Sequence, residues 1–122
     1  MTSKKEQLSD VLRKIRATIP EVIGAAVVSS EGFIVAAVFP SEVDEDLVGG
    51  MAASLLGVGE RISVDLMQAP MEQVFVRSPR GYIIVNAIDA NSSVVVLVSK
   101  EAKLGLIFIE LRRAIAELLA VL

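Results

Sequence analysis

The chain has no cysteine, no histidine and no tryptophan. Without cysteine it cannot form a disulfide, a thiolate zinc site or a cysteine nucleophile, and without histidine it cannot build an imidazole-based triad. Most familiar catalytic devices are thereby excluded. Aromatic residues make up only 4% of the chain, so a core has to come from Val, Ile, Leu and Ala. The net charge is only −3 and the Lys and Arg residues are scattered, which leaves no basic footprint for a polyphosphate backbone; nucleic acid is not expected as a partner. No glycine-rich segment is followed by Lys and Ser or Thr, so the chain is not itself a P-loop NTPase. The start, Met1 to Gln7, lacks the apolar region of a signal peptide, and Asp10, Arg13 and Lys14 interrupt the next stretch, so a cytoplasmic location is expected. The apolar C-terminal run is broken by Glu110, Arg112, Arg113 and Glu117, well short of the roughly 20 apolar residues of a membrane span. It reads as a soluble helix, and no membrane insertion is expected.

What is present is an apolar chain: 53% of its 122 residues are hydrophobic, enough for one domain over 1–122 with a real core and an excess that points to a buried interface. Ser3 with Glu6 forms a capping-box pattern, and Leu8, Val11, Leu12, Ile15 and Ile19 recur on one face up to Pro20, predicting a first helix over about Lys4 to Ile19. Ile23 to Val28 and Phe33 to Phe39 read as strands joined by the tight turn Ser29-Ser30-Glu31-Gly32. Pro40 stops the second, and a second helix is expected over Val43 to Asp65, with Ser41 and Asp44 offering a cap and Asp44, Glu45 and Asp46 suiting the positive end of its dipole. Glu72 to Arg77, Tyr82 to Ile88 and the valine-rich Ser93 to Val98 read as three further strands, the last buried on both faces or central in its sheet. A third helix is expected over about Glu101 to Val121, with Leu104, Ile107, Phe108, Leu111, Ile115, Leu118, Leu119 and Leu122 facing inward. The order predicts an α+β fold, a five-stranded antiparallel sheet flanked by helices.

The second helix carries the most specific pattern. Leu47, Met51, Leu55, Val58 and Ile62 form one stripe at helical spacing, while Asp46, Gly50, Ala53, Gly57 and Arg61 fall on another. Large residues are expected to seek the sheet and small ones to admit a second backbone. A glycine inside a helix costs about 1 kcal/mol against alanine unless something approaches closely there, and the simplest candidate is a copy of the same helix.

Other candidate sites resolve to ordinary structure. Gly57-Val58-Gly59-Glu60-Arg61-Ile62 begins like a dinucleotide fingerprint, but lacks the final glycine and lies at the end of a helix instead of after a strand. Glu42, Asp44, Glu45 and Asp46 could ligate a divalent cation, yet helix-dipole complementarity accounts for them, so no metal is expected. Arg112 and Arg113 invite comparison with an arginine finger, but their place late in the third helix favours a solvated face, with Arg113 opposite the core stripe and Leu106 and Ile109 beside it as a small exposed apolar patch. Asn91-Ser92-Ser93 matches a glycosylation acceptor, but without a secretion signal it is a turn.

A set of short segments, in order along nearly the whole chain, resembles the roadblock/dynein light chain family of compact prokaryotic domains. They are Ser30 to Phe33, Val43 to Asp46, Met51 to Arg61, Glu72 to Val74, Arg80 to Tyr82, and Lys103 to Leu106 leading to Leu111 to Ala114. The resemblance implies the order α-β-β-α-β-β-β-α and a homodimer whose second helices pair and whose third strands meet edge to edge. On this chain the implied dimer interface is Asp46, Gly50, Ala53, Ser54, Gly57 and Arg61 with Val74 and Val76. It further implies a non-catalytic regulator or scaffold, with a possible GTPase-activating role, for a Ras-like small GTPase docking at Asp44, Glu45, Asp46 and Gly49, without cofactor. Two alternatives stand beside it: a dimeric assembly subunit of a larger sensory or motility complex without GTPase contact, and a small-molecule sensor of the PAS-like or profilin-like kind, which also uses a helix-flanked antiparallel sheet. The sensor needs a few polar groups among apolar walls, which the aliphatic stripes do not supply.

Overall fold

The computed structural model describes residues 2–122. Its elements are α1 (Lys4–Thr18), β1 (Val22–Ser29), β2 (Ile34–Val38), α2 (Glu45–Met67), β3 (Gln73–Ser78), β4 (Gly81–Asp89), β5 (Ser92–Ser99) and α3 (Leu104–Val121). The five strands form one sheet in the order β2-β1-β5-β4-β3, antiparallel throughout. The α+β fold expected from the element order is therefore the one observed. The valine-rich β5 is the central strand, and β3 lies at an edge.

Local chemistry explains the helix boundaries. The Ser3 hydroxyl accepts from the Glu6 amide at 3.1 Å and caps α1. At α2 the cap is Asp44, whose carboxylate accepts from the Leu47 amide at 3.2 Å, so the helix opens two residues later than expected; it also runs two residues beyond Asp65. It ends at Gln68, which takes a left-handed conformation and returns its amide to the Val64 carbonyl, a common way of stopping a helix.

Alternation along the strands divides the core in two. Val94, Val96 and Val98 of β5 join Ala25, Val27, Ala36, Ile84 and Ile88 on the face covered by α1 and α3, where Leu8, Leu12, Ile15, Ile107, Leu111 and Leu118 are buried against them. Val95 with Ala26, Val28 and Val85 faces α2. Two helices thus cover one face and α2 alone lies on the other. In α3 the expected inward stripe holds except at Leu119, half of which is exposed; Ala114, outside that stripe, is buried instead.

Candidate functional site

The orientation of α2 corrects the expectation from its stripes. Its buried residues are Gly49 and Ala52, and Val48, Leu55 and Leu56 pack beside them on the sheet. Of the large stripe only Leu55 takes part. Leu47, Met51, Val58 and Ile62 are 59%, 60%, 59% and 54% exposed. The sheet accepts the small side chains because a helix lying directly on the backbone ladder needs room, and the large ones overhang to one side.

The overhang creates a groove of about 610 Å³ between α2 and the sheet, lined by Leu47, Met51, Leu55, Val58, Val76 and Ile83 among others, with Ser54 as the only polar side chain. Val76, Ile83 and Leu97 are aligned across β3, β4 and β5, so the exposed apolar surface runs from the helix across to the free edge of the sheet. Among the described residues α2 is also the one helix long and apolar enough, by length and composition, to cross a bilayer, and little of it is buried. The apolar C-terminal run, as α3, instead packs on the core. A continuous apolar surface of this size is the feature of the molecule that calls for a partner or a ligand, and it is the candidate site.

The glycines of α2 fall into two kinds. A Cβ on Gly49 would collide with the Gly32 carbonyl, so the β1–β2 turn presses on the helix there, and one on Gly59 would meet the Met71 side chain, which can move aside. Gly32 itself has φ +93°, a turn conformation that glycine adopts without strain. Gly49, expected at a GTPase contact, is accordingly buried against the β1–β2 turn and offers no surface. A Cβ placed on Gly50 or Gly57 would have nothing within 4 Å, so close approach within the protomer explains neither. Gly57 and Ala53 border a second depression beside the β1–β2 and β4–β5 turns, with Ser30, Glu60 and Asp89. Of the residues expected at a dimer interface, then, Ser54 and Val76 line the apolar groove, while Gly50, Ala53 and Gly57 lie on other sides of the helix. Val74 packs beneath α2, Asp46 is exposed, and Arg61 is exposed with Asp65 at 3.7 Å.

Asp44 is occupied as the cap of α2, and Glu45 and Asp46 stand exposed in its first turn. Among the described residues no three acidic side chains converge as a metal site would require. On α3, Arg113 is not the solvated residue expected: it is bonded to Glu110 and Glu117, with 30% of its side chain exposed. The hydrogen bond to Glu110 raises the Arg113 pKa above its ordinary value, and the bond from Arg113 lowers that of Glu117. Leu106 and Ile109 are exposed as expected, at 55% and 68%.

The protein is thus a small α+β domain with a layered sheet and a broad apolar surface running from a helix to a sheet edge. The chain belongs to the Roadblock/LC7 domain family, whose model matches residues 8–98; α3 lies beyond that match. Uncharacterized protein MJ0714 of Methanocaldococcus jannaschii is 35% identical over 94 residues, 76% of this chain and 78% of the relative. In structure the chain is similar to MglB of Myxococcus xanthus, with a TM-score of 0.89 and 11% identity over 99% of this chain and 91% of that one. It is similar also to the gliding protein mglB of Thermus thermophilus, with a TM-score of 0.87 and 16% identity over 99% and 92%. At these identities the two structures speak for the fold, α3 included.

Proposed function

We propose that the chain acts in the cytoplasm as a homodimeric, non-catalytic platform that binds and regulates a Ras-like small GTPase. The observation that carries the dimer is the exposed apolar face of α2 continuing over Val76, Ile83 and Leu97. A second copy offers the same surface and covers it symmetrically, while the free β3 edge gains a strand partner instead of remaining open to aggregation. The interface we propose is therefore Leu47, Met51, Ser54, Val58 and Ile62 with Val76, in place of Gly50, Ala53 and Gly57.

Membership of the Roadblock/LC7 family supports the GTPase as partner. Once the apolar faces are paired, the starts of the two α2 helices offer Glu45 and Asp46 as free acidic groups, with Asp44 held back as a cap. These are the docking residues we propose. The test is association with a Ras-like GTPase encoded in the same genome and loaded with a GTP analogue. Replacing Glu45 and Asp46 by lysine is expected to slow association and change its salt dependence while the dimer persists. Association that is indifferent to both reversals would place docking elsewhere; no association with any such GTPase would leave the dimer as a plain assembly subunit.

A further inference from the structure

On the face of the sheet opposite α2, a cleft of about 370 Å³ opens beneath one flank of α3, lined there by Gln73, Asn86, Phe108, Arg112 and Ile115. We propose that it binds a monocarboxylic acid with an apolar tail. The volume lies in the range of small-molecule sites, roughly 300 to 1,000 Å³. Unlike the groove beside α2, the cleft sets several polar groups among apolar walls.

Strand alternation assigns its floor. Gln73 and Phe75 of β3 lie under α3, the Phe75 ring 6.2 Å from that of Phe108, while Val74 lies under α2. Glu72, the residue before Gln73, turns with Val74 to the α2 face, where it borders Gly59 and Met71, and so brings no carboxylate under α3. Gln73 and Asn86 are register partners on β3 and β4. The Gln73 Nε2 donates to the Asn86 Oδ1 at 2.8 Å, and the Asn86 Nδ2 donates to the Ala87 carbonyl at 3.1 Å. These bonds order both amides and leave one N–H on each for a ligand.

The charges decide the sign of that ligand. Arg113 is bonded to Glu110 and Glu117, and Glu117 also meets Lys14 at 3.5 Å, so this ion network occupies the flank of α3 that faces α1. Arg112 falls on the other flank, toward β3, and has no ion-pair partner among the described residues. The cleft under α3 therefore holds one guanidinium and no carboxylate. An anion satisfies it, and the fork of donors on Arg112 suits a carboxylate, whose remaining lone pairs would accept from the free N–H groups of Gln73 and Asn86. Phe108 and Ile115, neither fully buried, would cover the tail. A phosphate dianion would bring a second charge with no second cation among the lining residues, and an amine would face Arg112 as a like charge.

The test titrates isocaproate, isocaproamide, isoamylamine and acetate into the intact chain, with affinity read by calorimetry and the site by amide chemical shifts. Isocaproate is expected to bind once per chain, with shifts centred on Gln73, Asn86, Phe108 and Arg112. The amide and the amine, which remove or reverse the charge, and acetate, which keeps the charge and lacks the tail, should each bind more weakly by about tenfold or more. Arg112 is exposed, so Arg112→Gln should fold normally and weaken isocaproate by a similar factor, while Arg112→Lys should retain part of the affinity. The proposal is overturned if isocaproate leaves these resonances unmoved at millimolar concentration, if its shifts centre on Leu47 and Met51 instead, if Arg112→Gln binds it as tightly as the parent protein, or if the amide or acetate matches it. Binding here requires neither the pairing of α2 nor a GTPase, so its failure would leave the proposed function standing.

Discussion

Met51→Ala tests the proposed dimer face without disturbing the protomer. Met51 is 60% exposed in the single chain, so most of its apolar surface is available to a partner and little of it supports the fold. Fully burying a methionine is worth about 1.5 to 3 kcal/mol, so covering the exposed portion contributes about 1 to 2 kcal/mol per chain. A two-fold interface uses it twice, and the variant should lose about 2 to 4 kcal/mol of dimer stability, a rise in Kd of roughly 30-fold to 700-fold. Alanine is the better helix former, so the protomer should keep its circular dichroism spectrum. Sedimentation velocity over a dilution series measures the shift in the monomer-dimer midpoint. A midpoint equal to that of the parent protein would show that the exposed stripe of α2 is not the dimer face.

Gly57→Ala reads the other side of the same helix: with open space at its Cβ, the variant should gain about 0.5 to 1 kcal/mol in thermal unfolding, and a loss would show that something presses on Gly57 in the assembled protein. Gly49→Ala should do the opposite and destabilise by about 1 to 3 kcal/mol, because the new methyl collides with the Gly32 backbone carbonyl, which no side-chain rotation can move aside; unchanged denaturant unfolding would contradict that packing. Arg113 holds the Glu117 pKa below its unfolded value, so the stability this pair contributes is present above the ordinary glutamate range and is lost as the pH falls through the lowered native value. Glu117 has 40% of its side chain exposed, and screening keeps the contribution to about 0.5 kcal/mol. Glu117→Gln should therefore trail the parent protein slightly at neutral pH and match it in acid, as followed by urea midpoints.

Where local chemistry decides the structure, the sequence suffices to read it. Ser3 and Glu6 announce the first helix, Pro40 and the turn at Gly32 bound the first hairpin, and the valine run of β5 announces a central strand. The facing of α2 is a different kind of question. Val48, Ala52, Leu55, Leu56 and Gly59 at helical spacing are as plausible a buried side as Leu47, Met51, Val58 and Ile62, and helical periodicity states only that both sides are apolar. An apolar arc wider than one sheet can cover is the usable signal, and it says that two partners are needed without saying which side each takes. The choice between them depends on Gly49 meeting Gly32 in the β1–β2 turn, a contact that no local pattern contains.

Two chains paired through α2 would offer one composite docking surface. A partner astride the two-fold axis blocks its own symmetry mate, so one GTPase is predicted for two chains. Sedimentation equilibrium of the protein mixed with excess GTP-analogue-loaded Ras-like GTPase measures this directly. The predicted complex has the mass of the GTPase plus twice the 13.0 kDa of this chain; a complex of one GTPase with a single chain would contradict it.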